Sequence, residues 1–142
     1  MRRYLRAEDL GDLLEQPLVA VIVTRRPDGE LLLSPVWHEW RDGGFTLFTD
    51  ADDIKVRHLT RDPRASIAVF ESEPPYRGIE VFSEARILPN GDTGTMRRIA
   101  KRYVSAEHAE RYVDPDAVLI RLQPADLRAW DFADEYPEAA QR

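Results

Sequence analysis

Three β-type segments lie close together in the first half of the chain: Val19–Arg25, Glu30–Trp40 and Phe45–Thr49. The turns between them are Arg26-Pro27-Asp28-Gly29 and Asp42-Gly43-Gly44. They supply the fixed φ of proline and the positive-φ positions of glycine that hairpin turns require. We therefore predict that the three segments are sequential neighbours in an antiparallel sheet.

Strands also dominate the rest of the central region. Further strands are predicted at Arg64–Glu71, Glu80–Leu88 and Ala117–Leu122, with an edge strand possible at Leu127–Trp130. The spacing of apolar residues predicts helices over Ala7–Gln16, Asp53–Thr60, Thr93–Val104 and Ala106–Tyr112. Because strands and helices do not alternate regularly, the pattern favours a mainly β fold, a six-stranded antiparallel Greek-key barrel with a few short helices.

The chain length indicates one domain over residues 1–142, with a core from about 18 to 131 and a loose tail over 135–142. The nearly continuous apolar run Val19–Arg25 predicts a strand that is buried on both faces. Pro35 interrupts the next strand and cannot donate to a ladder, so it is expected at an edge or a bulge.

Composition excludes several classes of function. The formal net charge of −6 argues against nucleic acid as the main partner, and the absence of cysteine excludes disulfides and thiolate chemistry. No apolar run is long enough for a membrane span or a signal peptide, so we expect a soluble, cytoplasmic protein. The three histidines have no metal-site spacing, and no metal is expected. The glutamates at 71, 73, 80 and 84 are expected to be solvated.

The helix predicted at Asp53–Thr60 is a candidate anion site. Asp52 or Asp53 can cap it, and a helix start offers free N–H groups to a phosphate. Lys55 and Arg57 add positive charge in the first turn and are candidate phosphate ligands. The alternative is that both are ordinary solvated charges on a surface helix.

The order and spacing of several short motifs carry a family resemblance. They run from the turn at 26–29, through Ser34-Pro35-Val36-Trp37 and Phe48-Thr49, to Lys55-Val56-Arg57-His58-Leu59, Arg61-Asp62-Pro63-Arg64-Ala65-Ser66 and Tyr76-Arg77. With these motifs the chain resembles the pyridoxamine-phosphate-oxidase-like split-barrel superfamily of flavin and deazaflavin (coenzyme F420) oxidoreductases. The resemblance extends from about residue 19 to residue 130 and implies a split β-barrel.

The resemblance also implies a tight homodimer with two cofactor sites at its interface and a small-molecule substrate. The cofactor phosphate would lie near Lys55 and Arg57, and Thr49 would bind the ribityl chain or the phosphate. The second strand would line the ring through the four residues Ser34, Pro35, Val36 and Trp37. Tyr76 and Arg77 would reach the partner's site. The cofactor supplies the hydride chemistry in such enzymes, so no catalytic residue is assigned.

The cofactor is expected to be coenzyme F420, with FMN as the alternative. The chain lacks the Arg- and His-containing C-terminal segment of true pyridoxamine-phosphate oxidases, and its compact form resembles the deazaflavin-using branch. Because the deazaflavin has a long acidic tail, a basic groove formed by Arg25, Arg26 or Arg61 would favour it. A short closed phosphate pocket would favour FMN instead. A third possibility is a non-catalytic split-barrel protein that binds flavin or haem as a carrier or sensor.

Overall fold

Two antiparallel sheets make up the fold in the computed structural model, which describes residues 1–89 and 91–139. One sheet contains β1 (Arg2–Leu5), β2 (Ala20–Arg25), β3 (Leu31–Val36), β6 (Arg64–Phe70), β7 (Gly78–Glu84) and β10 (Asp126–Asp131). The other contains β4 (Glu39–Arg41), β5 (Gly44–Thr49), β8 (Arg86–Leu88) and β9 (Val118–Leu122). The strand orders are β1-β10-β7-β6-β2-β3 and β4-β5-β9-β8. The predicted mainly β, antiparallel fold class is confirmed.

The described residues form ten strands instead of the predicted six. The segment predicted at Glu30–Trp40 divides into β3 and β4, which belong to different sheets, and Trp37 and His38 form the crossing. The segment at Glu80–Leu88 likewise divides at Ala85 into β7 and β8. A long strand can thus take part in both sheets by bending once, which periodicity along the sequence does not reveal.

The N-terminal segment differs most from its prediction. The helix predicted over Ala7–Gln16 is wrong: the segment forms two short 3₁₀ turns, Ala7–Leu10 and Leu13–Glu15. Gly11 separates them with φ of +59°, a backbone conformation that ends a right-handed helix. Leu10 and Leu13 are nevertheless fully buried, which explains the helix-like spacing of the leucines. The preceding strand β1 was not predicted, and its pairing with β10 leaves β10 inside the sheet.

In the described part of the chain three α-helices lie in the connections between strands: α1 (Ile54–Arg61), α2 (Thr93–Ala100) and α3 (Ala106–Ala109). The predicted start of α1 is confirmed, because the Asp53 carboxylate accepts a hydrogen bond from the backbone N–H of Lys55. α2 ends four residues earlier than predicted, since the backbone closes into turns at Arg102 and Tyr103. No helix among the described residues combines the length and the hydropathy needed to cross a membrane.

The six-stranded sheet has one buried face and one exposed face. In the β2–β3 register Ile22 lies opposite Ser34 on the buried face, while Val23 lies opposite Leu33 on the other. The predicted burial of Val19–Arg25 on both faces is therefore wrong, since only alternate residues of β2 are fully buried. The exposed face, which we call the outer sheet face, carries four large apolar side chains that are at least one-third exposed: Leu31, Leu33, Phe70 and Phe82. β3 is an edge strand, as the proline at position 35 predicts.

Candidate functional site

A cavity of about 430 Å³ lies where the ends of β3 and β5 meet the first turn of α1. Its volume is in the range of small-molecule binding sites. Apolar and aromatic side chains form most of the wall, and Thr49 and Lys55 form a polar end. The lining residues are Val19, Pro35, Val36, Trp37, Phe48, Thr49, Lys55 and Tyr112.

The Trp37 indole is the largest planar group in this wall. It stacks on the Tyr103 ring at 5.0 Å with an interplanar angle of 3°, and Tyr112 contacts it at 4.7 Å with a tilt of 59°. The Tyr103 hydroxyl donates to the Leu18 carbonyl at 2.8 Å and accepts from the backbone N–H of His38 at 3.1 Å. The residues after α2 therefore hold the indole, which occupies the crossing between β3 and β4.

The His38 side chain lies next to this wall but has a structural role. It is fully buried, and its Nδ1 lies 3.1 Å from the Tyr103 hydroxyl, while no described group reaches its Nε2. Because the Tyr103 hydroxyl donates its proton to the Leu18 carbonyl, Nδ1 of His38 carries the imidazole proton and donates it to the hydroxyl oxygen. Burial, assisted by the charge of Arg102, lowers the pKa of His38 to about 3. The imidazole is therefore neutral near pH 7. Among the described residues no group of three or more histidines and carboxylates could hold a metal ion.

The polar end of the cavity contains a cation and an anion in contact. The Lys55 Nζ lies 3.1 Å from Oδ1 of Asp53, and the two side chains are only 12% and 27% exposed. Thr49 hydrogen-bonds to the same carboxylate. Burial opposes ionisation of Asp53, but the hydrogen bonds from Lys55 and Thr49 and the lysine charge together lower its pKa. Lys55 therefore faces the cavity with Asp53 directly beside it.

The structure brings five of the nine predicted site residues to this cavity: Pro35, Val36, Trp37, Thr49 and Lys55. Four others lie elsewhere in this chain: Ser34, Arg57, Tyr76 and Arg77. Ser34 pairs with Ile22 on the buried face of its sheet. The Arg57 side chain is exposed on α1 and does not line the cavity. Tyr76 packs at the far loop against the rings of Phe132 and Tyr136.

The Arg77 guanidinium is engaged inside its own chain. It is 5% exposed and makes a two-pronged ion pair with Glu71, with distances of 2.9 and 2.8 Å. It also donates to the Leu10 carbonyl at 2.9 Å and to Asp12 at 2.6 Å. The hydrogen bond with Glu71 raises the pKa of Arg77 against the effect of burial. The prediction that Glu71 is solvated is wrong, because it is 6% exposed in this ion pair.

Sequence reasoning missed three lining residues and one charge. Val19 and Phe48 lie within predicted strands but were not assigned to the site, and the alternation of β5 was an available signal for Phe48. Tyr112 follows α3 and reaches the cavity only through the tertiary fold. Asp53 was predicted as a helix cap, but its ion pair with Lys55 requires a side-chain geometry that sequence does not specify.

A comparison with protein families identifies the class. The family model described as pyridoxamine 5'-phosphate oxidase matches residues 7–131, and the chain belongs to this family. The resemblance drawn from the sequence motifs is thereby confirmed. No curated protein matches the chain by sequence.

Solved structures share the split-barrel fold at low identity. A conserved hypothetical protein from Mycobacterium tuberculosis has a TM-score of 0.76 and 22% identity, with 93% of this chain and 88% of that chain covered. An F420 reductase has a TM-score of 0.67 and 23% identity, with 82% and 93% covered. HutZ, the heme storage protein from Vibrio cholerae, has a TM-score of 0.69 and 16% identity, with 85% and 92% covered. One fold thus serves a reductase and a storage protein, so function depends on the site.

Proposed function

We propose that this chain is an oxidoreductase that binds coenzyme F420 in the cavity and reduces a small, planar, conjugated acceptor. The observation that carries the proposal is that Trp37 and Lys55, a planar aromatic wall and a cation, line one cavity in a member of the pyridoxamine 5'-phosphate oxidase family. When bound, such a cofactor supplies hydride transfer, so the chain needs no nucleophile of its own.

The residues present fit a ring and a phosphate. Val36, Trp37 and Phe48 offer apolar contact to a flat ring, and Pro35 leaves the strand edge without an N–H donor. Lys55 would hold the phosphate, and Thr49 would hydrogen-bond to it or to the adjoining chain. The chain therefore contributes position, apolar contact and charge.

Basic residues on another side of α1 favour the deazaflavin over FMN. Arg61 and Arg26 both lie near the His58 imidazole. Burial lowers the pKa of His58, and the charges of these two arginines lower it further. The Arg61 guanidinium is held by the carbonyl of Arg25. These cations suit the acidic tail of coenzyme F420, for which FMN has no counterpart. A haem carrier is less favoured, since no histidine is among the described lining residues.

We further propose that a second copy of the chain covers the outer sheet face. Leu33 and Phe70 are 62% and 55% exposed there, together with Leu31 and Phe82. Large exposed apolar side chains on one face of a small domain indicate an interface, and a closed two-fold dimer buries them on both copies. Val19 and Pro35 lie beside this face and also line the cavity, so the cofactor site would adjoin the partner.

The test is a binding titration of the purified protein with riboflavin, FMN and coenzyme F420, followed by turnover with menadione or a coumarin-like enone. We expect coenzyme F420 to bind most tightly, and its reduced form to be consumed at similar rates with and without oxygen. Lys55→Ala should weaken binding about tenfold to hundredfold, because a charge-assisted hydrogen bond contributes about 1.5–3 kcal/mol.

Lys101→Ala is the matched control, since Lys101 is the only other lysine of the sequence and is exposed away from the cavity lining. It should leave binding unchanged. A protein that purifies with bound FMN and has no affinity for coenzyme F420 would refute the assignment of the deazaflavin. Equal binding by wild type and Lys55→Ala would refute the assignment of the phosphate position.

A further inference from the structure

We propose that Asp53 selects the cofactor by the charge of its phosphate, favouring a phosphodiester with one negative charge over a phosphomonoester with two. This inference rests on the proposed function, because it requires the phosphate to bind at Lys55. It goes beyond that function by assigning a specificity-determining role to a carboxylate that does not line the cavity.

The first step is the charge balance at the polar end. Lys55 is the only charged side chain among the described lining residues, and its Nζ lies 3.1 Å from the Asp53 carboxylate. The groups that face Asp53 are Lys55 and Thr49, with His58 one turn along α1. A phosphate that approaches Lys55 therefore also approaches an ionised carboxylate.

The second step concerns the start of α1. The Asp53 side chain already accepts the backbone N–H of Lys55 at 2.9 Å, and the Asp53 carbonyl accepts the N–H groups of Val56 and Arg57. These donors are engaged within the chain and contribute little to an incoming anion. The attraction for a phosphate comes mainly from the Lys55 ammonium, which Asp53 partly neutralises.

The third step is the charge of the ligand. A phosphomonoester loses its second proton near pH 6 and carries almost two charges at pH 8, whereas a phosphodiester carries one. One additional unit charge at about 6 Å from a carboxylate, at an effective dielectric constant of about 40, changes a binding constant about tenfold. FMN is a monoester and coenzyme F420 a diester, so Asp53 separates the two cofactors in the direction of the proposed function.

The experiment uses three ligands that share one ring: riboflavin, FMN and the monomethyl ester of FMN, which is a phosphodiester. Their dissociation constants are measured at pH 8 by quenching of flavin fluorescence. The variants are Asp53→Asn, Asp53→Ser and, as the matched control, Asp52→Asn. Asparagine and serine keep the helix cap, so α1 is preserved while the charge is removed. Asp52 is the exposed neighbour and has the same charge.

We expect the wild type to bind the methyl ester at least as tightly as FMN. Both Asp53 variants should shift the ratio of the two affinities about tenfold towards FMN, and Asp52→Asn should leave the ratio unchanged. An unchanged ratio in both Asp53 variants would overturn the inference, as would an equal shift in Asp52→Asn.

Failure of the underlying function gives a different result. If the phosphate does not bind at Lys55, Lys55→Ala alters none of the three dissociation constants. If only the role of Asp53 is wrong, Lys55→Ala still weakens FMN and its methyl ester but not riboflavin.

Discussion

Arg77 provides a decisive test between a structural role and a role in a partner's cofactor site. Its guanidinium is buried against Glu71 and reaches the Leu10 carbonyl and Asp12, which ties the loop between β6 and β7 to the N-terminal segment. Arg77→Met removes the cation but keeps the apolar part of the side chain. The Glu71 carboxylate then stays buried without the guanidinium opposite it.

Breaking a buried ion pair by removing one partner costs about 3–5 kcal/mol. For a chain of 142 residues the entropy of unfolding is about 0.3 kcal/mol per degree, so we expect the melting temperature to fall by about 10–17 °C. The double variant Glu71→Leu/Arg77→Met should be less destabilised than Arg77→Met alone, because a buried pair can be replaced by apolar residues at little cost.

Differential scanning calorimetry and urea unfolding measure these changes. Arg64→Met is the control, since the Arg64 side chain is half exposed in its ion pair with Asp62, and it should leave the melting temperature nearly unchanged. The reasoning is refuted if Arg77→Met melts within about 3 °C of the wild type. It is also refuted if the variant loses cofactor affinity while stability is kept, because Arg77 would then serve a binding site.

The remaining two predictions concern assembly and pH. Sedimentation of the wild type at micromolar concentration should give one species of twice the chain mass, and Leu33→Asp should give a folded monomer because Leu33 is 62% exposed in the single chain; a wild-type monomer would contradict this. The second prediction follows from His38, whose pKa is about 3 in the folded chain and 6.5 in the unfolded chain. Below pH 6.5 His38 is protonated in the unfolded chain but stays neutral in the folded chain. The free energy of unfolding therefore falls by about 1.4 kcal/mol per pH unit towards pH 3. Between about pH 7.5 and pH 5 the free energy of unfolding, measured with urea, should fall by about 2 kcal/mol more for the wild type than for His38→Phe. Equal decreases would mean that the imidazole is exposed to solvent in the folded chain.

The fold class could be predicted because it depends on local signals. Hairpin turns at 26–29 and 42–44 fix neighbouring strands, and the structure pairs β2 with β3 and β4 with β5 accordingly. Local signals do not determine which of the two sheets a strand joins. The bends at residues 37 and 38 and at Ala85 follow from packing between the sheets, so the sequence pattern shows one continuous strand at each place.

The candidate site likewise contains residues that the sequence motifs predicted and residues that only the tertiary fold brings to the cavity. Pro35, Val36 and Trp37 are consecutive, and Thr49 and Lys55 flank one turn, so motifs could place them together. Tyr112 is distant in sequence and lines the cavity only because α2 and α3 fold back over Trp37. The role of Arg77 stays a prediction, because an arginine in a surface motif and one in a buried ion pair look alike in the sequence, and only the structure shows its ion pair with Glu71.

Pro35 also restricts how copies of this chain can associate. It lies in β3, the strand at the open rim of the six-stranded sheet, where an incoming strand would have to exchange backbone hydrogen bonds. Proline is tolerated in such a strand where its nitrogen points away from the ladder, so the incoming strand finds no donor at that position and meets the ring instead. Lateral growth into a continuous, fibre-like sheet is thereby disfavoured at this edge. Contact between copies through the broad sheet faces does not use this edge, and the cavity lies beside Pro35.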